Sequence, residues 1–369
     1  MQSFRKLALC LAVLSAGFGL PAVAGQGTAY RVRLLVGEGL PVVNVQAKGL
    51  RVFDGDVLDQ LLPAQNAVLK VQAGKAGLRL PGVKHQPRSI LLKSKGPVEL
   101  LKRRLVGEVE LRFEGKGILV INRMSLERYL AGLLGAEMSA SWPLEALKAQ
   151  AVAARSYFLH RRLRRENAKY DLATSTLDQV YRGIAREGAS TRRAVAETQG
   201  QVLVYGHRPA EALFHACCGG RTRPSQEVFG TALPYLVAVE DPDCAACPKH
   251  RWRVKLSLAE LGVRLARQGK SGGVAKVVSS GKGLSIQGKA GWRIQFSRQQ
   301  LRRLVGAVAI PSSAFQLEQH GDMLILRGRG SGHGVGLCQW GAKGMAERGQ
   351  DFKAILKRYY PGCVIRRLY

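Results

Sequence analysis

The chain has few acidic residues: 26 Asp and Glu stand against 57 Lys and Arg in 369 residues, a formal net charge of +31. This imbalance says little about the fold, but it favours a polyanionic partner such as nucleic acid, an anionic membrane surface or an acidic polymer. Long apolar runs are also scarce. After the first two dozen residues no segment of the sequence is long and apolar enough to cross a bilayer, so we expect no stable membrane insertion.

The single long apolar run lies at the N terminus, between the basic residues Arg5 and Lys6 and the small residues Ala22-Val23-Ala24. This order is typical of a cleavable secretory signal over residues 1–24. A membrane anchor is the alternative, although the run is short for a bilayer span. Cleavage leaves 55 basic and 26 acidic residues in a protein of the periplasm, the cell wall or the extracellular space. Export makes nucleic acid the least available of the three partners.

The mature chain also lacks internal repeats and low-complexity linkers. Its length and its 46% content of apolar residues allow a large core, and we expect two domains. Residues 25–115 alternate apolar and polar side chains between Gly and Pro turns, which predicts a β-rich N-terminal region. Residues 116–369 mix helical and strand patterns and end in two short helices. The sequence therefore predicts an α+β fold with a mixed α/β second domain and a helical C-terminal end.

The periodicity changes from two residues to the helical repeat at Ser125. Ser125 is a good helix N-cap, and apolar residues then recur on one stripe from Leu126 to Leu134. A second helix is predicted from Ser141, with Pro143 in its first turn. Near the end of the chain, Asp351 is expected to cap a closing helix that stops before Pro361.

Glu137 lies in the link between these two predicted helices. The negative end of the first helix dipole, together with the apolar neighbours Met138 and Trp142, would raise the pKa of Glu137 toward that of a general acid. Lys148 and Arg155 lie seven residues apart on one face of the second helix, and they would lower this pKa if they approached the carboxylate. The alternative is that Glu137 accepts hydrogen bonds from backbone N–H groups at the start of the second helix.

Six cysteines remain after cleavage, and in an exported protein an even count first indicates disulfides. They are Cys217, Cys218, Cys244, Cys247, Cys338 and Cys363. A zinc site built from His215, Cys217 or Cys218, Cys244 and Cys247 is the alternative interpretation.

The stretch GSGHGVGLCQWGA, residues 330–342, presents His333, Gln339 and Trp340 around closely spaced glycines. Such glycines let the backbone approach a ligand or another chain segment. The spacing departs from a dinucleotide-binding fingerprint after Gly336, so no nucleotide cofactor is expected. His333 alone could equally be a structural residue. The two closing helices resemble a helix-turn-helix, but export and the cysteines argue against binding to DNA.

The motifs GAEM, LDQVYRG, HACCGGRT, PYLVAVEDP and GHGVGLCQWGAKGMAERG follow one another over residues 116–369. In this order they resemble the stage II sporulation protein D family, whose members include lytic transglycosylases of peptidoglycan and amidase enhancers. The resemblance implies that Glu137, in the A-E-M motif, is the catalytic acid. It also implies substrate-binding roles for Lys148, Gln150, Arg155, Ser156, Tyr157, Gln179, Tyr181, His215, Gly219, Gly220, Thr222, His333, Gln339 and Trp340.

Two departures from the family pattern concern metals and cysteines. Some members hold zinc with a cysteine pair just before the Q-x-Y motif, where this chain has Ala173 and Asp178. We therefore expect no metal at this position, and we expect no cofactor. The Cys217-Cys218 pair stands where a serine is common in the family, and we expect Cys217 or Cys218 to form a disulfide with Cys244 or Cys247.

The resemblance implies cleavage of peptidoglycan glycan strands, stripped of their peptides, between N-acetylmuramic acid and N-acetylglucosamine, leaving 1,6-anhydro-muramyl ends. One carboxylate suffices for this reaction because the C6 hydroxyl of the sugar is the nucleophile. The basic surface suits the free lactyl carboxylates of such strands. The alternative function is a non-catalytic module that binds glycan and stimulates a cell-wall amidase, which is then a further candidate partner.

Overall fold

The structure is a computed structural model that describes residues 30–115, 117–165, 168–173, 187–281 and 283–369. The predicted signal segment 1–24, Gln179 and Tyr181 lie outside these residues. Helices and strands of both parallel and antiparallel pairing are present, so the predicted α+β class is confirmed. No helix in the described part of the chain combines the length and apolar character that a bilayer span requires.

Ten strands of the described residues form one sheet in the N-terminal part of the chain. They are β1 (Arg31–Leu40), β2 (Val42–Asp54), β3 (Gln60–Ala73), β4 (Leu78–Arg79), β5 (Ser89–Lys93), β6 (Val98–Leu100), β7 (Arg103–Leu105), β8 (Glu108–Glu114), β9 (Gly117–Ser125) and β10 (Leu172–Ala173). The main path runs β10-β1-β9-β8-β5-β2-β3-β4, and β6 pairs with β2 and β7. On β2 the alternating Val43, Val45 and Ala47 are buried, as a period-two pattern predicts.

This sheet crosses the sequence boundary at residues 115 and 116. Strand β9 follows that boundary, yet it pairs antiparallel with β8 and with β1. Strand β10 comes after the second helix and pairs in parallel with β1. The β-rich region thus includes strands from both predicted domains.

Eight helices are found in the described residues. They are α1 (Leu126–Glu137), α2 (Leu144–Leu163), α3 (Ala189–Glu197), α4 (Ser225–Phe229), α5 (Leu258–Ala266), α6 (Arg298–Val305), α7 (Gln339–Glu347) and α8 (Phe352–Tyr359), with a 3-10 turn at Pro242–Cys244. The predicted N-caps Ser125 and Asp351 are confirmed, because each side chain accepts a hydrogen bond from a backbone N–H of the first turn.

The predicted start of α2 at Ser141 is wrong. The helix begins at Leu144, and Pro143 is its N-cap with an extended backbone, φ −52° and ψ 139°. Proline forces the residue before it out of the helical region, so the helix cannot extend back through Trp142. From Ala146 to Leu159 most of α2 is buried, because α1, α3, α7, α8 and β11 (Gln201–Tyr205) pack around it. Its many alanines permit this close approach.

Four more short strands complete this region: β12 (Arg208–Pro209), β13 (Phe214–His215), β20 (Leu337–Cys338) and β21 (Val364–Arg367). Strand β13 pairs in parallel with β20, and β11 lies between β12 and β21. A single hydrophobic core runs from Val32 and Leu34 of the N-terminal sheet through α1 and α2 to Leu356 and Tyr360.

A separate unit is inserted between β13 and β20. Its strands are β14 (Arg251–Ser257), β15 (Val274–Ser280), β16 (Gly283–Gly288), β17 (Arg293–Ser297), β18 (Phe315–His320) and β19 (Met323–Arg329). They form two three-stranded sheets, and with α5 and α6 they bury their own core around Leu261, Ile286 and Leu326. This unit lies within residues 116–369, which the sequence pattern predicts as one domain.

Candidate active site at the end of helix α1

Glu137 is the last residue of α1, and its side chain is partly exposed. Its Oε2 atom lies 3.4 Å from Nε2 of Gln339, which donates a hydrogen bond to the carboxylate. Gln339 is the first residue of α7, 202 residues further along the chain. The start of α7 therefore positions a neutral donor against the carboxylate of Glu137.

Gln339 also joins Glu137 to the interior of α2. Its Nε2 lies 3.4 Å from Oε1 of Gln150, and both glutamines are buried. The amide nitrogen of Gln150 has no hydrogen-bond partner among the described residues. A buried amide donor without a partner is costly, so this row of polar groups is a place where a ligand group could be bound.

Two tryptophans join the same two chain segments. Trp142, in the link after α1, packs edge-on against Trp340, the residue after Gln339, with ring centroids 5.1 Å apart. Both rings are partly exposed, and Nζ of Lys343 lies 5.4 Å from the Trp340 ring centroid. Trp142 was not among the residues predicted to bind substrate. The sequence signal that could have identified Trp142 is its place between a serine and a proline.

Lys148 is held by two other carboxylates. Its Nζ lies 2.7 Å from Glu145 and 2.6 Å from Glu197, and it approaches the ring of Phe352. Partial burial disfavours the charge of Lys148, but the hydrogen bonds to Glu145 and Glu197 outweigh this effect and raise its pKa. Glu145 and Glu197 therefore balance the positive charge of Lys148, and Glu137 is not needed for this.

Arg155 and Ser156 have no exposed surface. Arg155 forms a two-pronged ion pair with Glu127, at 2.9 and 2.7 Å, and donates to the carbonyl of Gln201 at 2.9 Å. Ser156 accepts from the N–H of Leu203 and donates to the carbonyl of Val152. Both side chains connect α2 to its neighbours, a geometry that does not suit direct contact with a substrate.

Tyr157 is mostly buried on α2, at 6% exposure, and the guanidinium of Arg161 lies 6.0 Å from its ring centroid. The Tyr157 ring is thus mostly enclosed by protein, and it lies on the same helix as Gln150. Its burial leaves little surface for a large polymer.

His215 and His333 form a neutral pair. Their ring centroids are 5.4 Å apart, and Nδ1 of His215 lies 3.1 Å from the carbonyl oxygen of Val335. Burial and the neighbouring His333 lower the pKa of His215 to about 3, and burial lowers the pKa of His333 to about 4. Nε2 of His215 is buried without a hydrogen-bond partner in the described residues. Both rings are therefore uncharged near neutral pH, and the pair can donate hydrogen bonds to a ligand or accept them from it.

The glycine pair after Cys218 forms a tight turn. Gly219 has φ +73°, and a Cβ there would come within 2.7 Å of Arg329 and Gly330, so a larger residue does not fit. Thr222 is buried and accepts a hydrogen bond from the N–H of Val239 at 2.7 Å. Gly219, Gly220 and Thr222 thus define the backbone path beside His215.

The expected disulfide is not formed in the described structure, where Cys217, Cys218, Cys244 and Cys247 are free thiols. The sulfur atoms of Cys218 and Cys244 nevertheless lie 3.5 Å apart. The expectation identified the segments that meet, but the structure brings them together with Cys338 as well.

A cavity of about 480 Å³ lies in the N-terminal sheet and is lined by residues between Asn44 and Arg104. It includes none of the predicted site residues. The candidate site therefore consists of Glu137, Gln150, Gln339 and the two tryptophans. The histidine pair is connected to this group through the pairing of β13 with β20.

The chain matches the family model described as Stage II sporulation protein (SpoIID) over residues 114–205. It is 38% identical over 252 residues to an uncharacterized protein of Brachyspira hyodysenteriae, covering 66% of this chain and 67% of that protein. It is 32% identical over 266 residues to stage II sporulation protein D of Bacillus subtilis, covering 66% of this chain and 75% of that protein. The Bacillus subtilis protein named Amidase enhancer is 28% identical over 291 residues, covering 64% of this chain and 40% of that protein.

The family model spans Glu137 and the whole of α2, and the aligned length of the sporulation protein extends well beyond it. On this evidence the chain belongs to the stage II sporulation protein D family.

Proposed function

We propose that the protein is a lytic transglycosylase that cleaves peptidoglycan strands between N-acetylmuramic acid and N-acetylglucosamine, with Glu137 as both acid and base. The observation that carries this proposal is the hydrogen bond from Gln339 to the partly exposed carboxylate of Glu137. The substrate class rests on the family to which the chain belongs. The protein would act after export, in the periplasm or at the cell wall.

A single carboxylate can perform both proton transfers of this reaction. Hydrolytic glycosidases usually need two carboxylates, because one protonates the leaving oxygen and the other attacks or activates water. Here Glu137 gives its proton to the glycosidic oxygen while the bond from C1 to that oxygen breaks. The resulting carboxylate accepts the proton of the C6 hydroxyl while C6–O–C1 closes the 1,6-anhydro ring. The carboxyl group is thereby regenerated.

The surroundings of Glu137 suit both halves of the cycle. The negative end of the α1 dipole favours the protonated form, while the hydrogen bond from Gln339 stabilises the carboxylate that follows. Lys148 and Arg155 of the next helix are bound to other carboxylates. We therefore assign Arg155 and Ser156 to support of α2, and Lys148 to a bridge between α2 and α3.

Substrate recognition is proposed to use Trp142 and Trp340 as partly exposed rings that pack on sugar faces, with the amides of Gln150 and Gln339 as hydrogen-bonding groups. The inserted unit adds positive charge, because residues 251–330 contain 15 Lys and Arg against 3 Asp and Glu. Lactyl carboxylates of peptide-stripped strands would be attracted to this charge. Gly219, Gly220, Thr222, His215 and His333 would form the wall beside these groups, and the proposal extends to Gln179 and Tyr181. Tyr157 is assigned to the packing of α2 because it is mostly buried.

The test is a digest of peptide-stripped glycan strands, analysed by mass spectrometry for 1,6-anhydro-muramyl ends. Glu137→Gln should release them about 10²–10⁴-fold more slowly than the wild type, because it cannot donate a proton. Glu347→Gln is the matched control, since Glu347 is an exposed carboxylate of α7 paired with Lys343. Undiminished release by Glu137→Gln would refute the catalytic role.

A second candidate function is a non-catalytic protein that binds glycan and stimulates a cell-wall amidase. It is favoured by the relative named Amidase enhancer and by the charge of the inserted unit. In this case the strands stay unaltered in the digest, and added protein increases peptide release by a purified amidase. Glu137→Gln should then stimulate the amidase as well as the wild type does.

A further inference from the structure

A group of buried side chains outside the candidate active site has the composition of a metal centre. One ligand atom from each of Cys218, Asp241, Cys244 and Cys338 lies within 4.8 Å of all the others. All four residues are buried. Cys218 lies three residues after β13, Asp241 just before the 3-10 turn at Pro242–Cys244, Cys244 at the end of that turn and Cys338 at the end of β20. Three chain segments far apart in sequence thus deliver three sulfurs and one carboxylate to one point.

Backbone N–H groups point at two of these sulfurs. The N–H of Gly220 lies 3.2 Å from Sγ of Cys244, and those of Cys218 and Gly341 each lie 3.3 Å from Sγ of Cys338. Cys338 is also the N-cap of α7, at the positive end of the helix dipole. Such donors stabilise a sulfur that carries negative charge, as a metal-bound thiolate does.

Asp241 is the second, independent observation. It is completely buried, and its Oδ1 atom accepts no hydrogen bond from the described residues. Its Oδ2 atom lies 3.1 Å from Sγ of Cys218. No ion pair among the described residues includes Asp241, and a buried carboxylate is costly unless a cation accompanies it. The cluster therefore contains a buried carboxylate close to three thiols, and one of its two oxygens accepts no hydrogen bond from the described residues.

We propose that Cys218, Asp241, Cys244 and Cys338 bind a structural Zn²⁺ ion. Four ligands of this kind fit a closed tetrahedral site, and a sulfur-rich set favours zinc over the hard cations magnesium and calcium. Binding releases the three thiol protons to solvent as three S–Zn bonds form. The ligand set differs from the sequence alternative, since Asp241 and Cys338 take the place of His215 and Cys247.

A second, overlapping group consists of Cys217, Cys244 and His250, whose ligand atoms also lie within 4.8 Å of one another. Nδ1 of His250 lies 3.4 Å from Sγ of Cys244. It has three donors and shares Cys244 with the first group, so we assign it to the surroundings of the zinc. The backbone donor to Cys244 comes from Gly220, in the turn next to the first group.

The position of the proposed ion indicates a structural role at the start of α7. Cys338 immediately precedes Gln339, and Cys218 follows the strand that carries His215. Zinc at this point would fasten the start of α7 to the glycine turn, and would hold Gln339 at its distance from Glu137. The ion would be structural and would take no part in proton transfer.

The experiment measures zinc in the full-length exported protein, purified without chelator or reductant, by elemental mass spectrometry. We expect about one Zn²⁺ per chain in the wild type and in Cys363→Ser, since Cys363 lies outside the cluster. Cys244→Ser and Asp241→Asn should each lose most of the metal. Cobalt substitution of the wild type should give sulfur-to-metal charge-transfer bands, and these bands should weaken in Cys338→Ser.

If a variant fails to fold, the zinc content of the wild-type protein still decides the test. Folded wild type without zinc overturns the proposal, whether or not its non-reducing peptide map contains a Cys218–Cys244 disulfide, as does zinc that stays at full occupancy in folded Cys244→Ser. Glu137→Gln should retain all its zinc and melt as the wild type does. Loss of glycan cleavage and loss of metal are thus separate outcomes, and either proposal can fail alone.

Discussion

Replacement of Arg155 by methionine tests whether this arginine binds substrate or supports the fold. The substitution keeps an unbranched apolar stem but removes the guanidinium, and with it both hydrogen bonds to Glu127 and the one to Gln201. Breaking a buried ion pair by removal of one partner costs about 3–5 kcal/mol. The lower value applies here because Glu127 keeps 19% of its side chain exposed and a hydrogen bond from Tyr369. In a chain of this size we expect the melting temperature to fall by roughly 4–5 °C.

The assay is thermal unfolding followed by circular dichroism, together with glycan binding well below the melting temperature. Arg155→Met should bind glycan normally once folded, and Arg155→Met combined with Glu127→Gln should cost less than the two single changes together. Lys148→Met, seven residues earlier on α2, is the matched control and should lower the melting temperature less, because its partners are more exposed. A variant Arg155→Met that melts like the wild type but loses glycan binding would refute this reasoning.

Three further results are expected. Gln339→Leu should slow the release of anhydro ends without lowering the zinc content, because it removes only the donor to Glu137. Gln339→Glu should slow this release further, because it adds a second carboxylate beside Glu137. The folded pKa of His215, about 3, lies below its unfolded value, so the unfolded chain binds more protons below pH 6.5. Stability should therefore fall as the pH is lowered from 6.5 toward 4, and His215→Gln should flatten this dependence in thermal melts. Glycan binding should weaken as salt is raised for stripped strands but not for uncharged chitin oligomers, and equal salt dependence of the two would contradict the charge argument.

The sequence predicted the parts of the fold that depend on local patterns. The change of period at Ser125 located α1 because a serine N-cap and an apolar stripe are both encoded within a dozen residues. The cap at Asp351 was recognisable for the same reason. The start of α2 was misplaced because Ser141 resembles a cap, while the conformational limit that Pro143 imposes on its neighbour is stronger.

The candidate site was less accessible to such reasoning. The resemblance selected Gln339, but its contact with Glu137 spans 202 residues and is set by the packing of α7 against α2. Arg155 shows the limit of a motif, because a charged residue in a sequence pattern gives no sign of whether it faces a ligand or a buried partner. Asp241 lies in the PYLVAVEDP motif, but an aspartate before a proline is typical of an ordinary turn and does not by itself indicate a metal ligand.

The core shared by the N-terminal sheet and the helices has a practical consequence for dissecting the protein. Val32 and Leu34 pack in the same cluster as α1 and α2, and the N–H of Leu126 donates to the carbonyl of Tyr30. Expression of residues 116–369 alone would remove β1, which packs against α1, and would leave β9 without both of its neighbours. Such a fragment should aggregate, so deletion of the front strands cannot reveal their role, and point substitutions on their exposed side are the better tool.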